Sequence, residues 1–231
     1  MFIKFKKLQS YLTISLLISI LFFSSCNQTS NTTELNLPDG FISTVFVDSI
    51  AETVRHMDVK NNGDLYVKFR RQSDEGVLAA IRDVNSDGKA DSIVKFGQYH
   101  IPQQGSYSTG SRIHNGYLYY SSQLTVYRVK LDSQKLVPIS NPEIIVVDDH
   151  EHGSHEHIGK PIAFDDKGHI YVPFGAPNNA CQEPKRTPQA PGLDPCPDLK
   201  LHAGIWRFKS DELNQTQKDG ELFATGLRSI V

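Results

Sequence analysis

From Leu37 onward the chain alternates short β-branched and aromatic runs with Gly, Asn and Asp, and almost nothing repeats at 3.6 residues. That pattern predicts an all-β protein. One phrase recurs, as Gly63-Asp64-Leu65-Tyr66-Val67, Gly116-Tyr117-Leu118-Tyr119-Tyr120 and Gly168-His169-Ile170-Tyr171-Val172, with the glycines 53 and 52 residues apart. Each copy follows an apolar strand and a tight turn: Met57-Asp58-Val59 before Asn62-Gly63, Ile113 before Asn115-Gly116, and Pro161-Ile162-Ala163-Phe164 before Lys167-Gly168. Asn-Gly supplies the two positive φ angles of a two-residue hairpin. A hairpin every ~50 residues, with room for two more strands, is the signature of a β-propeller with four-stranded blades. Gly220-Glu221-Leu222-Phe223 keeps the period but follows a polar stretch, so it is assigned to the third blade as a further strand. Leu227-Arg228-Ser229-Ile230-Val231 instead resembles the opening strand of the first blade, Val54 to Val59.

About 195 residues at roughly 52 per blade make fewer than four blades. An open ring leaves strand edges and blade faces bare. The expectation is therefore an incomplete propeller of about three and a half blades, truncated at the C-terminus or completed by another chain.

The N-terminal pattern is different. Lys4, Lys6 and Lys7 precede an apolar run from Tyr11 to Phe23 and then Ser24-Ser25-Cys26. A cationic end, a short apolar core and small residues predict a secretory signal over 1–25. The run is several residues short of the ~20 needed to span a bilayer. Small residues before a cysteine resemble the bacterial lipobox, which makes Cys26 the expected lipidation site and the chain a membrane-anchored exported lipoprotein. Residues 26–36, Asn- and Thr-rich, read as a flexible tether. Composition adds one exclusion: beyond Ser25 there are 21 basic and 26 acidic residues, a balance of −5 that argues against a nucleic-acid partner.

Export places Cys181 and Cys196 where disulfides persist. Fifteen residues apart in a Pro-rich segment, they read as a stapled surface loop, with a metal or catalytic pair as the alternative. Asp83-x-Asn85-x-Asp87-Gly88-Lys89-x-Asp91 places oxygen ligands at alternate positions of a turn, the Lys89 carbonyl included, and suits a structural calcium ion. The alternative is a solvated Asp/Asn/Gly turn. His150, His152, His155 and His157, interleaved with Glu151 and Glu156, form either a transition-metal cluster or a loop. His157 stands apart because it precedes the opening strand of the third blade. Lys160 and Arg55 each lie eight residues before their blade's glycine, and Arg228 opens the next strand. If those strands line a central channel, one mouth gathers a proton acceptor and several cations, suited to an anionic ligand. Otherwise these cations are solvated rim residues.

With these motifs placed, the chain from Leu37-Pro38-Asp39-Gly40-Phe41 to its terminus resembles the glucose/sorbosone dehydrogenase family, six-bladed quinoprotein propellers that use pyrroloquinoline quinone. Ile81-Arg82-Asp83, His157 with Ile162-Ala163-Phe164, Gly175 to Cys181, Pro191 to Pro197, Ala203 to Phe208 and Ala224 to Arg228 carry the likeness. The segment from Tyr171 to Phe208 is similar to the sorbosone-dehydrogenase-like branch. The resemblance implies that His157 is the general base on a sugar hydroxyl while hydride passes to the quinone, and that Arg228 contacts and polarises the quinone. Lys160 and Arg55 complete the expected cofactor set. In the glucose dehydrogenases a Gly-Asp pair ends the second strand of the third blade, and its Asp orients the histidine. Here Gly175 is followed by Ala176, and Ser229 replaces the usual Asn after the arginine. The expected function is the N-terminal part of a sugar or aldose dehydrogenase, inactive without the later blades. The alternative is a non-catalytic, lipid-anchored propeller that binds a carbohydrate or protein.

Overall fold

The structure is a computed structural model that describes residues 35–99, 110–149 and 157–230. The expected signal, Cys26 and most of the expected tether, together with His150, His152 and His155, lie outside the described residues. The chain divides into Met1–Val45 and Phe46–Val231. In the first unit, residues 35–45 hold a turn at Asp39-Gly40, closed by the Phe41 N–H donating to the Pro38 carbonyl at 3.2 Å.

The second unit is three antiparallel blades. Blade 1 is β1 (Val54–Val59), β2 (Leu65–Ser73), β3 (Gly76–Arg82) and β4 (Ser92–Phe96), hydrogen-bonded in that order. Blade 2 is β5 (Ser111–His114), β6 (Tyr117–Ser121), β7 (Thr125–Lys130) and β8 (Glu143–Val147). Blade 3 is β9 (Ala163–Phe164), β10 (His169–Phe174), β11 (Gly204–Lys209) and β13 (Glu221–Thr225). The predicted four-stranded repeat is present, and Glu221–Thr225 is the outer strand of blade 3, paired with β11.

The repeat's turns are of two kinds. His114 pairs with Tyr117, so Asn115-Gly116 is a two-residue hairpin loop, with φ of 47° and 78°. The other two loops are longer than expected. Lys60 donates its N–H to the Asp64 carbonyl and Asp165 to the His169 carbonyl, leaving three residues between, and only Gly63 and Gly168 take positive φ. That is the three-residue loop with a glycine bulge, which needs one left-handed residue rather than two.

Period-2 alternation explains how the blades stack. Tyr66, Leu78 and Ala80 of blade 1 meet Leu118, Tyr120, Tyr127 and Val129 of blade 2. From the other face of blade 2, Tyr119, Val126 and Val146 meet Ile170, Val172, Phe174, Trp206 and Phe208 of blade 3. Val67, Phe69, Ala79 and Ile81, on the remaining face of blade 1, are covered by Phe46, Val47 and Ile50. One feature departs from the four-stranded expectation. The polar stretch after β11 returns to blade 2, where β12 (Gln215–Thr216) pairs in parallel with β8. Buried Gln215 makes this possible, since its amide donates to the Lys209 and Glu212 carbonyls, both at 2.8 Å, and its oxygen accepts the Lys209 N–H. Among the described residues no helix is long and apolar enough to cross a membrane.

Candidate functional site

β10 ends at Phe174, and the loop beyond it builds the site. His157 has a left-handed backbone, φ 55°, and its carbonyl lies against Gly175. A methyl group on Gly175 would overlap the His157 carbonyl oxygen and fall 2.7 Å from its carbonyl carbon, so glycine is required for the histidine to sit here. The next residue, Ala176, donates its N–H to the Arg228 carbonyl at 2.9 Å. Two adjacent residues of one strand end thus hold the backbones of both expected catalytic residues.

Their side chains also meet. His157 Nε2 lies 2.8 Å from Asn179 Oδ1, and the same oxygen accepts from the Arg228 guanidinium at 3.3 Å. Arg228 and Asn179 are exposed, whereas His157 is partly buried. Buried Asn178 holds the loop: its amide donates to Asp198 at 2.6 Å, and its oxygen accepts the N–H groups of Ala180 and Cys181. Cys181 and Cys196 form the expected disulfide, with Cα atoms 6.0 Å apart, two residues before Asp198. The staple therefore fixes both ends of the Asn178–Asp198 clamp.

Lys160, another expected cofactor contact, is held between two blades. It is 1 % exposed, and its ammonium donates to Asp148 at 2.7 Å and to the Pro173 carbonyl at 3.3 Å, 4.3 Å from the Phe174 ring centroid. A charge between two blades must be paired, and Asp148 on blade 2 pairs it. Arg55 is exposed on β1 beside His56, whose pKa is lowered first by burial and then by Arg112, Arg55 and Lys68. Arg112, exposed on β5, is a cation that the spacing argument missed, because it lies four residues rather than eight before its blade's glycine.

The acidic loop is closed by its own backbone. Asp83 accepts the N–H groups of Ser86 at 2.6 Å and Gly88 at 2.9 Å, and Asp91 accepts that of Val84 at 2.7 Å. Asn85 accepts from Asp87, and Asp87 from Lys89, both at 2.9 Å. Desolvation pushes the Asp83 carboxyl upward, but the N–H groups of Gly88, Ser86, Asp87 and Asn85 outweigh it and leave its pKa lowered. Among the described residues the one group of three His, Cys, Asp or Glu donors that converges is Cys181, Cys196 and Asp198, where the sulfurs are bonded to each other. The carboxylates of Asp83, Asp87 and Asp91 do not gather. The oxygens of Asp83, Asn85, Asp87 and Asp91 keep lone pairs beyond those given to the backbone, so this geometry is compatible with both readings of the loop, the calcium site and the solvated turn.

No protein-family model matches the chain, and no curated protein matches it significantly. Solved structures do. The holo PQQ domain of a pyranose dehydrogenase from Coprinopsis cinerea aligns with 77% of this chain and 40% of its own, at 16% identity and a TM-score of 0.57. Calcium and iodide structures of a family AA12 carbohydrate-active enzyme from Trichoderma reesei align over 77% of this chain and 41% of theirs, at 12% and 13% identity and TM-scores of 0.54 and 0.55. The sheets are blades of a partial β-propeller. At these identities the likeness establishes the fold, and the chain spans about two fifths of the length of the propellers it matches.

Proposed function

We propose that these blades belong to an exported, lipid-anchored quinoprotein that oxidises a sugar or aldose, in the sorbosone-dehydrogenase-like branch of its family. The observation that carries the reading is the Asn179 bridge, which joins the two residues that the resemblance assigns to proton transfer and cofactor contact. The structural neighbours support the same coarse chemistry, because they are a PQQ-domain pyranose dehydrogenase and a carbohydrate-active enzyme.

The donor set suits an anionic, planar cofactor. Arg228, Arg55 and Arg112 present exposed guanidiniums, whose fork geometry matches carboxylate and quinone oxygens. Arg228 and Arg55 would hold the group, while Lys160, already paired with Asp148, would not. Bound pyrroloquinoline quinone supplies the two-electron acceptor for hydride leaving the sugar carbon. His157 takes the proton of the hydroxyl on that carbon, an imidazole being able to exchange protons near neutral pH. Asn179 orients the ring, the task that a carboxylate after Gly175 performs in the glucose dehydrogenases.

The test uses the complete product of the reading frame that carries these residues, with quinone and calcium added. Sugar-dependent bleaching of the quinone absorbance is expected with at least one aldose, and the 231 residues alone are expected to show none. No bleaching of the complete product by any aldose at saturating quinone would leave a non-catalytic carbohydrate- or protein-binding propeller. Turnover by the 231-residue chain would refute the need for further blades.

A further inference from the structure

The cystine loop holds a donor set that the proposed oxidation leaves unused. Among the described residues, Cys181 Sγ, Cys196 Sγ and a carboxylate oxygen of Asp198 form the one group of three such donors whose atoms lie within 4.8 Å of one another. The thiolate is the metal ligand, so the sulfurs offer a cation nothing while they are bonded to each other. All three residues keep part of their surface in solvent, where a thiol and an ion reach them. Asp198 is also held from outside the set. Buried Asn178 donates to its Oδ2 at 2.6 Å and accepts the Cys181 N–H with its own oxygen, so one side chain positions two of the three donors. A ligating carboxylate is oriented by a hydrogen-bonded partner of this kind.

We propose that Cys181, Cys196 and Asp198 are a redox-gated zinc site: the dithiol form holds one zinc ion on two thiolates and a carboxylate, and the disulfide form holds none. A thiol reductant opens the site by exchange. The S–S bond breaks, each cysteine takes up a proton, and the two electrons come from the reductant, which leaves as its own disulfide. Zinc then displaces both thiol protons to solvent, two Zn–S bonds and one Zn–O bond form, and no electron moves. Water completes the tetrahedron, as at three-ligand zinc sites. Sulfur donors select zinc over calcium or magnesium, which take oxygen. Thiolates ~2.3 Å from a tetrahedral zinc are roughly 3.8 Å apart, a separation that side-chain rotation reaches from Cα atoms 6.0 Å apart. Zinc therefore closes the same 15-residue loop as the disulfide and keeps the Asn178–Asp198 clamp in the reduced chain. The exported chain proposed above has this closure before its cysteines are oxidised.

The experiment uses the 231-residue chain with Cys26→Ser, which leaves this pair as its only cysteines. Reduced by a phosphine and titrated with zinc against a chromophoric chelator, it is expected to bind one more equivalent than the oxidised chain, whose uptake measures the histidines between 150 and 157 and any other background. Cobalt(II) in place of zinc is expected to give a thiolate charge-transfer band in the reduced chain alone. Asp198→Asn is expected to weaken zinc binding by about tenfold or more, and Asn178→Ala by roughly 10–100-fold, each with its far-ultraviolet spectrum unchanged. Three results would each overturn the site: no added zinc uptake on reduction, a zinc affinity in Asp198→Asn equal to that of its parent, or binding in strong denaturant as tight as in buffer. The last would show two flexible thiols at work and not a folded donor set. The readout needs neither quinone nor sugar, so failure of the site leaves the proposed oxidation untouched, and failure of the oxidation leaves the site.

Discussion

Lys68 and Asp64 sit close together in blade 1 and are held by opposite means. Lys68 has no exposed surface, and its ammonium donates to the Phe69 carbonyl at 2.8 Å and the Tyr99 hydroxyl at 2.6 Å. Burial pulls its pKa down to about 7. An unfolded lysine titrates near 10.4, so between pH 7 and 10 unfolding takes up a proton and stability rises with pH. Lys68→Met removes that rise, and urea unfolding at pH 7 and pH 9.5 should give a smaller stability difference in the variant than in wild type. Equal differences would count against a neutralised Lys68. Asp64, 1 % exposed, is instead paired. Arg82 grips both its oxygens, at 2.5 and 2.7 Å, and Asn62 donates at 2.8 Å. Desolvation raises the Asp64 carboxyl, but Arg82 and Asn62 outweigh it and leave the pKa lowered. The stabilisation is therefore fully present above the ordinary carboxylate range and lost as pH falls from that range through the lowered folded pKa. Such partners are where local sequence falls short. Lys160 has the spacing of a channel cation, but its burial depends on Asp148 in another blade. Asn179 is an ordinary loop residue until Arg228, 49 positions on, shows what its oxygen does. His157 and Arg228, picked out in the sequence by their place at blade-opening strands and by the family resemblance, meet at one amide oxygen.

At the scale of elements, strand existence followed from alternation and the glycine period, while turn detail did not. Asn62-Gly63 and Asn115-Gly116 are the same dipeptide, yet only the second forms a two-residue loop. In the first, the Asn62 amide bonds Asp64, and the Lys60–Asp64 pair closes a wider turn. The acidic loop was ambiguous for a related reason: the Asp/Asn spacing that gathers a cation also lets each side chain cap the backbone amides two to five residues ahead. The cystine loop was legible from its cysteines, but its link to the site was not, because that link runs through Asn178 and Asp198. Closing a 15-residue loop contributes about 3 kcal/mol by chain-entropy estimates. The Cys181→Ser, Cys196→Ser double variant should lose about that much in denaturant unfolding, and hydrogen exchange at the Ala180 and Cys181 amides, which Asn178 accepts, should speed up. A variant with both properties unchanged would separate the staple from the site.

The molecule as a whole is organised by which blade faces are covered. Blade 2 is buried on both sides, and blade 1 has Phe46, Val47 and Ile50 over one face. On blade 3 the face away from blade 2 presents Tyr171 against Phe223, ring centroids 4.9 Å apart, with Phe223 59% exposed. A 52-residue period predicted the count and order of these sheets. It did not predict β12, whose parallel pairing ties blade 3 back to blade 2 and depends on one buried glutamine. This stacking brings His157, which enters β9, to Arg228, which leaves β13, although 71 residues separate them. The measurement that tests this account most directly is a double-mutant cycle on kcat for sugar-dependent dye reduction by the complete product, with His157→Ala, Arg228→Ala and both. Residues acting as one unit are strongly non-additive. The account predicts that each single change lowers kcat on the order of 10²–10⁴-fold and that the double change costs little more than the worse single one. Near-wild-type turnover in His157→Ala, or fully multiplicative losses, would contradict it.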